Sequence, residues 1–112
     1  MIAAMSTGFG DMQGLLKQAQ EMQRRMQDTQ RSLGERIVEG TAGGGMVKVY
    51  VNGQMEIQAV KIQKAAVDPD DVDGLEDLVT AAVRQALVAA KELRDREMAK
   101  VTGGMNLPGM GF

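Results

Sequence analysis

The 112-residue sequence contains no cysteine, no histidine and no tryptophan. Without cysteine the chain has no disulfide and no thiolate nucleophile, and without histidine it lacks the commonest acid–base catalyst at neutral pH. Both residues are also the usual ligands of protein-bound zinc. The carboxylates lie beside lysine and arginine on helical patterns, where solvated ion pairs are the rule. We therefore expect no zinc site and no enzymatic activity.

Long apolar runs are also absent, since no stretch approaches the roughly 20 residues that a membrane helix requires. The first ten residues lack the positive charge and the apolar length of a signal peptide. We expect a soluble, intracellular protein, and the length indicates one domain. Ten methionines and fourteen glycines against three aromatic residues predict a core of methionine, leucine, valine and alanine.

The net charge of −2 conceals an uneven distribution. Residues 68–78 contain six acidic side chains and no basic one, so the remaining sequence carries a net charge of +4. A surplus of this size is too modest to indicate nucleic-acid binding by itself.

The first periodic segment predicts a long helix over residues 11–34, with Asp11 near its start and Gly34 as its stop. Apolar residues recur at alternating spacings of three and four, and this heptad seam is interrupted only by a threonine. The seam consists of Met12, Leu15, Ala19, Met22, Met26, Thr29 and Leu33.

From residue 36 to residue 64 the period changes to two, which predicts strands near 36–42, 45–51 and 54–63. Three consecutive glycines, 43–45, form the first turn. A second helix follows "DPDDVDG" and ends near Val101, and its alanine-rich first half would let another backbone approach closely. We expect a flexible N-terminus over 1–10, one α-β-β-β-α domain over 11–102 and a flexible glycine-rich tail over 103–112.

Asn52-Gly53 lies between two alternating segments, as in a β-hairpin. A two-residue turn would place Val49 opposite Glu56, so a valine would face a charge. A three-residue loop over 51–53 instead pairs Val49 with Met55 and Val47 with Ile57, with Gly53 in the left-handed conformation. We predict this loop, together with a second bulge near Gln58-Ala59.

The predicted helices are longer than the predicted sheet. Strands of about six residues span about 20 Å, whereas each helix exceeds about 30 Å. The sheet cannot cover both apolar stripes along their whole length. Either the two helices pack together beyond the sheet, or a second subunit covers the surplus, and the methionine seam favours a homodimer.

Two segments resemble ligand-binding motifs in composition without matching their patterns. "DPDDVDG" does not match a calcium-binding loop in either register, and its aspartates Asp70, Asp71 and Asp73 are better explained as helix caps. The glycines 43–45 precede a strand and lack the lysine of a phosphate-binding loop, so they indicate a turn.

The first helix carries a basic stripe on the side opposite its seam. Lys17, Arg24 and Arg31 recur at seven-residue spacing beside glutamines, with Arg25 one position away. Such a stripe can follow a phosphate backbone. Glu21 and Asp28 partly neutralise it, so an ordinary solvated face remains the alternative. The second helix adds further cations interleaved with acids, namely Arg84, Lys91, Arg94 and Lys100.

Four segments together resemble the YbaB/EbfC family of bacterial nucleoid-associated proteins. They are "MQGLLKQAQEMQRRMQ", "GTAGGGMVKVYVNGQMEIQAVKI", "LEDLVTAAVRQAL" and "MAKVTGGMNLPGM", and the likeness covers residues 8–110. The resemblance implies an α+β fold with a long N-terminal helix, a three-stranded antiparallel sheet and a long C-terminal helix. It also implies a tweezers-like homodimer without cofactors.

The implied activity is binding of double-stranded DNA, with little sequence preference, in the bacterial cytoplasm and nucleoid. The family offers no fixed contact motif, so the expected DNA-binding residues come from the helical pattern alone. They are Lys17, Arg24, Arg25, Arg31, Lys91 and Arg94. The alternative is an adaptor that docks a DNA repair or replication protein through methionine-rich helix surfaces and the C-terminal tail.

Overall fold

A computed structural model describes residues 2–103 of the chain, with side chains from residue 12 onward. Helix α1 (Ile2–Leu33) leads into strands β1 (Ile37–Ala42), β2 (Val47–Asn52) and β3 (Ile57–Ile62). A short 3₁₀ turn (Lys64–Ala66) then precedes helix α2 (Val72–Val101). The strands form one antiparallel sheet in the order β1-β2-β3. The predicted α+β arrangement of two long helices and a three-stranded antiparallel sheet is confirmed, and the chain measures 83 × 25 × 16 Å.

Helix α1 ends where the sequence predicts and begins earlier. The backbone N–H of Gly34 donates to the carbonyls of Gln30 and Arg31, which closes the last turn. The helix starts at Ile2, so Asp11 lies inside it and is not its N-cap. The predicted flexibility of residues 1–10 stays a prediction, and the predicted tail beyond residue 103 lies outside the described residues.

Helix α2 begins within the acidic segment rather than after it. The Asp71 carboxylate accepts a hydrogen bond from the backbone N–H of Gly74 at 3.1 Å, so Asp71 is the N-cap. Asp73 lies in the first turn, where its charge favours the positive end of the helix. The acidic segment is thus a helix start, and α2 ends at Val101 as predicted.

The core lies between the sheet and α2. Val47, Val49 and Val51 of β2 are fully buried against a row of α2 alanines, Ala82, Ala86 and Ala90. Alanine permits close packing, and at Gly40 of β1 a Cβ atom would collide with the backbone of Ala82 and Ala86. The close approach predicted for the alanine-rich half of α2 is confirmed.

The β1–β2 connection is the predicted glycine turn. Gly43, Gly44 and Gly45 all have positive φ values, of 63°, 67° and 94°, a region that other residues rarely adopt. The register that follows pairs Ala42 with Val47.

The predicted β2–β3 hairpin is wrong in position, although its loop type is observed two residues further along. Asn52 pairs with Glu56, and the N–H of Met55 donates to the carbonyl of Asn52 at 3.0 Å. The three-residue loop is therefore 53–55, and Met55, not Gly53, has the positive φ of 67°. The predicted pairs Val49–Met55 and Val47–Ile57 do not occur.

The second bulge occurs where the sequence predicts it. Val51 pairs with Ile57 and Tyr50 with Ala59, so Gln58 is the extra residue. This shift brings Val49 opposite Val60 and Val47 opposite Ile62, which restores an apolar face.

A buried asparagine explains why the loop lies over residues 53–55 and not over 51–53. The Asn52 amide donates to the carbonyl of Gly34 at 3.2 Å and to the Glu56 carboxylate at 2.8 Å. Its oxygen accepts from the N–H groups of Gln54 and Glu56 at 2.9 and 3.0 Å. These four bonds require Asn52 at the end of β2, facing the end of α1, and a loop over 51–53 would break them.

The heptad seam of α1 is buried only at its C-terminal end. Leu33 is fully buried, Met22 and Thr29 are half-buried, and Met12 and Leu15 are exposed. Residues 12–25 of α1 are called the arm below, because they carry the helix away from the sheet.

Replacing Gly40 with alanine should lower the free energy of unfolding by about 2–3 kcal/mol, because the new Cβ must push α2 off the sheet. Gly14→Ala is the matched control: its Cβ meets nothing within 4 Å, and it should stabilise α1 by up to about 1 kcal/mol. Urea denaturation at one fixed chain concentration measures both. Equal effects of the two substitutions would contradict the close packing at Gly40.

Candidate nucleic-acid interface

The basic stripe of α1 is fully accessible. Lys17, Arg24 and Arg31 are exposed along one side of the helix, separated by seven residues and therefore by about 10 Å each. Lys17 and Arg24 border one shallow depression with Gln20 and Glu21. Among the described side chains, neither Lys17 nor Arg24 takes part in an ion pair, whereas the Arg31 guanidinium lies 3.7 Å from the Asp28 carboxylate.

Arg25 lies apart from that stripe. It borders a groove between α1 and the end of α2, which is also lined by Asp28, Thr29, Glu97, Lys100 and Val101. The structure therefore brings Arg25 together with the α2 residue Lys100, not with Lys17.

The two predicted α2 residues occupy different environments. Lys91 is exposed, and Arg94 is partly exposed, with its Nε 3.8 Å from the carboxylate of Asp95. Both remain predicted contacts, and neither lines the two depressions described above.

An ion-pair cluster, which the sequence reveals only in part, joins the last turns of α2 to Arg36, the residue before β1. The Glu97 carboxylate accepts a hydrogen bond from Arg36 at 2.7 Å and from Lys100 at 3.2 Å. The hydrogen bonds from Lys100 and Arg36 lower the pKa of Glu97 below its ordinary value of 4.5. Spacing alone could reveal the Glu97–Lys100 pair, whereas Arg36 is 61 residues away in sequence from Glu97.

From residue 12 to residue 103, no group of three or more carboxylates is placed to hold a metal ion. In the same part of the chain, no helix has the length and apolar character needed to cross a membrane.

The fold and the interface define an elongated α+β protein that presents basic side chains on a projecting helix rather than in a pocket. The model of the YbaB/EbfC DNA-binding family matches residues 8–105. The chain belongs to this family, which is described by DNA binding and not by a catalysed reaction.

Relatives of known name agree with this assignment. The chain is 50% identical to a nucleoid-associated protein of Thermoanaerobacter sp. (strain X514), and the 103 aligned residues cover 92% of each chain. It is 52% identical to a nucleoid-associated protein of Moorella thermoacetica (strain ATCC 39073 / JCM 9320), and the 102 aligned residues cover 91% of this chain and 98% of the relative.

A solved structure shares the fold. The crystal structure of an uncharacterized protein from Helicobacter pylori superimposes with a TM-score of 0.69, covering 85% of this chain and 97% of the other. The sequence identity is 23%, so the likeness concerns the fold alone.

The Glu97 cluster should make stability depend on pH. Because the pKa of Glu97 is lowered in the folded state, its stabilising contribution is complete above pH 4.5 and is lost as the pH falls through the folded-state pKa. Glu97→Gln should therefore be less stable than the unmodified protein at pH 7, and the difference should shrink below pH 4.5.

Thermal unfolding at a series of pH values measures this difference. Glu92→Gln is the control, since Glu92 takes part in none of the ion pairs found among residues 12–103. If the difference in unfolding temperature between Glu97→Gln and the unmodified protein stays constant with pH, the role of the cluster is contradicted.

Proposed function

We propose that this protein is a homodimeric, nucleoid-associated protein that binds double-stranded DNA with little sequence preference through its helical arms. One observation carries the proposal: the exposed cations Lys17, Arg24 and Arg31 recur along a helix that projects from the sheet. Membership of a DNA-binding family supports DNA as the ligand.

The chemistry of the stripe favours contacts with phosphates. Arginine and lysine neutralise phosphate charge and release counterions, which gives affinity without regard to sequence. Reading base edges requires several side chains fixed in a groove, and the stripe residues are solvent-exposed on one helix. Glu21 and Asp28 on the same helix moderate the attraction, so binding should be weak and sensitive to salt.

The homodimer is supported by an apolar face that α2 leaves uncovered. Helix α2 packs on β1 and β2, whereas Ile57, Val60 and Ile62 of β3 are 53%, 43% and 42% exposed. These three side chains lie on the same face as the buried valines of β2, with which they pair. Strand β3 also has a free edge, and a second copy can cover edge and face together.

This placement of the dimer interface differs from the one that the methionine seam favours. With the interface at β3, the arms of both protomers stay available to DNA. The predicted adaptor function and the predicted repair or replication partners stay predictions.

Reversing two charges of the stripe, with Arg24→Glu and Arg31→Glu together, should weaken DNA binding and make it less dependent on salt. The slope of log affinity against log salt should become shallower by about 0.9 for each phosphate that the variant no longer neutralises. The matched control is Lys64→Glu with Arg84→Glu, which changes net charge equally at exposed sites outside α1 and β3. Gel-shift titrations at several salt concentrations compare the two. Equal reductions in affinity would show that net charge, not the stripe, governs binding.

Placing a charge on the apolar face, with Val60→Asp, should dissociate the dimer, because a second copy would have to bury an unpaired carboxylate. Lys61→Asp is the control: it lies on the same strand but on the opposite face. Sedimentation at micromolar concentration distinguishes monomer from dimer. If Leu15→Asp dissociates the dimer while Val60→Asp leaves it intact, the interface is the seam and not β3.

A further inference from the structure

The pair Asn52-Gly53, which ends β2 and begins the hairpin loop, is also chemically labile. The backbone nitrogen of the residue that follows an asparagine can attack the asparagine Cγ atom. A bond forms between this nitrogen and Cγ, the bond between Cγ and Nδ2 breaks, and ammonia leaves with the proton of the attacking N–H. Water then opens the resulting imide ring to aspartate or isoaspartate. Glycine in the second position favours the attack, because it has no Cβ atom beside the nitrogen.

The folded chain occupies both reacting groups. The Gly53 N–H, which must lose its proton before its nitrogen attacks, donates to the carbonyls of Leu33 and Arg36 at 2.8 and 3.0 Å. The Asn52 amide makes four hydrogen bonds, and any rotation that turns its Cγ atom towards the Gly53 nitrogen breaks them. Asn52 is also only 3% exposed, which keeps out the water and base that the reaction needs. The folded state therefore suppresses deamidation.

Residues 52–54 hold the end of α1 by three hydrogen bonds, which together are called the α1 dock. In each of them an N–H group of the hairpin donates to a carbonyl at the end of α1, where helix carbonyls have no partner within the helix. The bonds run from Asn52 Nδ2 to Gly34 at 3.2 Å, from the Gly53 N–H to Leu33 at 2.8 Å and from Gln54 Nε2 to Gln30 at 2.6 Å. Two of the three involve the reacting groups, so the α1 dock and the protection of Asn52 are lost together.

The fold requires both residues of this labile pair. A Cβ atom at position 53 would lie 2.7 Å from Leu33 Cδ2 and 2.8 Å from the Leu33 carbonyl oxygen, so only glycine fits there without a shift of α1. At position 52 an amide supplies the donors and the acceptor that the four bonds need, whereas a carboxylate only accepts. Protection of Asn52 against deamidation thus depends on the α1 dock and not on a less reactive sequence.

We propose that Asn52 is a modification site gated by the α1 dock: it stays an asparagine while α1 is docked and deamidates when the end of α1 detaches. The product weakens the dock. An aspartate at this position has no N–H for the Gly34 carbonyl, and its charge lies beside the Glu56 carboxylate, which accepts from the Asn52 amide at 2.8 Å. Isoaspartate also adds a carbon atom to the backbone ahead of Gly53. One detachment therefore leaves a lasting change in how the arm is held, whether or not the arm binds DNA.

Peptide mapping by mass spectrometry measures the deamidation rate of Asn52 in mildly alkaline buffer and separates it from Asn106, the other asparagine of the chain. The folded protein should react at least about a hundredfold more slowly than the same chain in concentrated urea, because only open molecules react. Equal rates under the two conditions, or no reaction in urea, would overturn the proposal.

A matched pair of glutamine variants separates the α1 dock from stability in general. Gln54→Ala removes the bond to the Gln30 carbonyl and should speed deamidation about two- to tenfold, as expected for one hydrogen bond. Gln58→Ala removes a side-chain bond of the same kind within the hairpin, to the Glu56 carbonyl, and should change the rate little. Each rate is divided by that of the same variant in urea, which removes any direct effect of sequence. Equal ratios for the two variants contradict gating by the dock.

Asn52→Asp reproduces the aspartate product and tests its effect on the dock. Exchange of the Gly53 amide proton should be at least about tenfold faster than in the unmodified protein, because the end of α1 detaches more often. Adding Glu56→Gln should slow this exchange again, since it removes the facing charge and supplies an amide donor. Adding Glu35→Gln, which removes the same charge at an exposed residue, should not. Unchanged exchange in Asn52→Asp, or equal effects of the two added substitutions, would show the proposal to be wrong.

Discussion

The whole arrangement depends on the side-chain amide of Asn52. It is 3% exposed, and its four hydrogen bonds reach the end of α1, the hairpin loop and the first residue after that loop. The neighbouring N–H of Gly53 donates to the carbonyls of Leu33 and Arg36, at 2.8 and 3.0 Å. A buried polar group is tolerated only when it is fully bonded. Asn52 therefore fixes where α1 leaves the sheet, and with it the direction of the arm.

That constraint marks the limit of prediction from sequence. Periodicity identified both helices, all three strands, the glycine turn and the bulge at Gln58, because these follow from local pattern and from the valines needing an apolar face. The predicted hairpin register is wrong because it rests on strand pairing alone. The deciding contacts connect Asn52 to Gly34 and Gly53 to Leu33, and such contacts between distant segments leave no periodic trace. At Gly53 a Cβ would also collide with Leu33, so glycine serves packing there rather than a positive φ.

The same distinction applies to the charges. The spacing of Lys17, Arg24 and Arg31 places them on one side of α1 because a helix has a fixed period, and the structure shows them exposed. Arg25 is only one residue from Arg24, yet it faces the end of α2, since neighbouring helical residues point about 100° apart. The Arg36–Glu97 pair required the fold itself, which brings the start of β1 to the last turns of α2.

Part of the apolar surface is buried between the sheet and α2, and part stays exposed on β3 and on α1. Gly40 and the alanines of α2 let one helix approach two strands closely, so the buried residues of the sheet all lie in β1 and β2. A single helix cannot also cover β3, and a helix of thirty residues cannot cover α1 to its far end. The two uncovered surfaces thus have one geometric origin, which is that a small sheet carries long helices. A second copy is suited to β3, where an edge and a face are free together, whereas the exposed seam of the arm is only a narrow apolar surface.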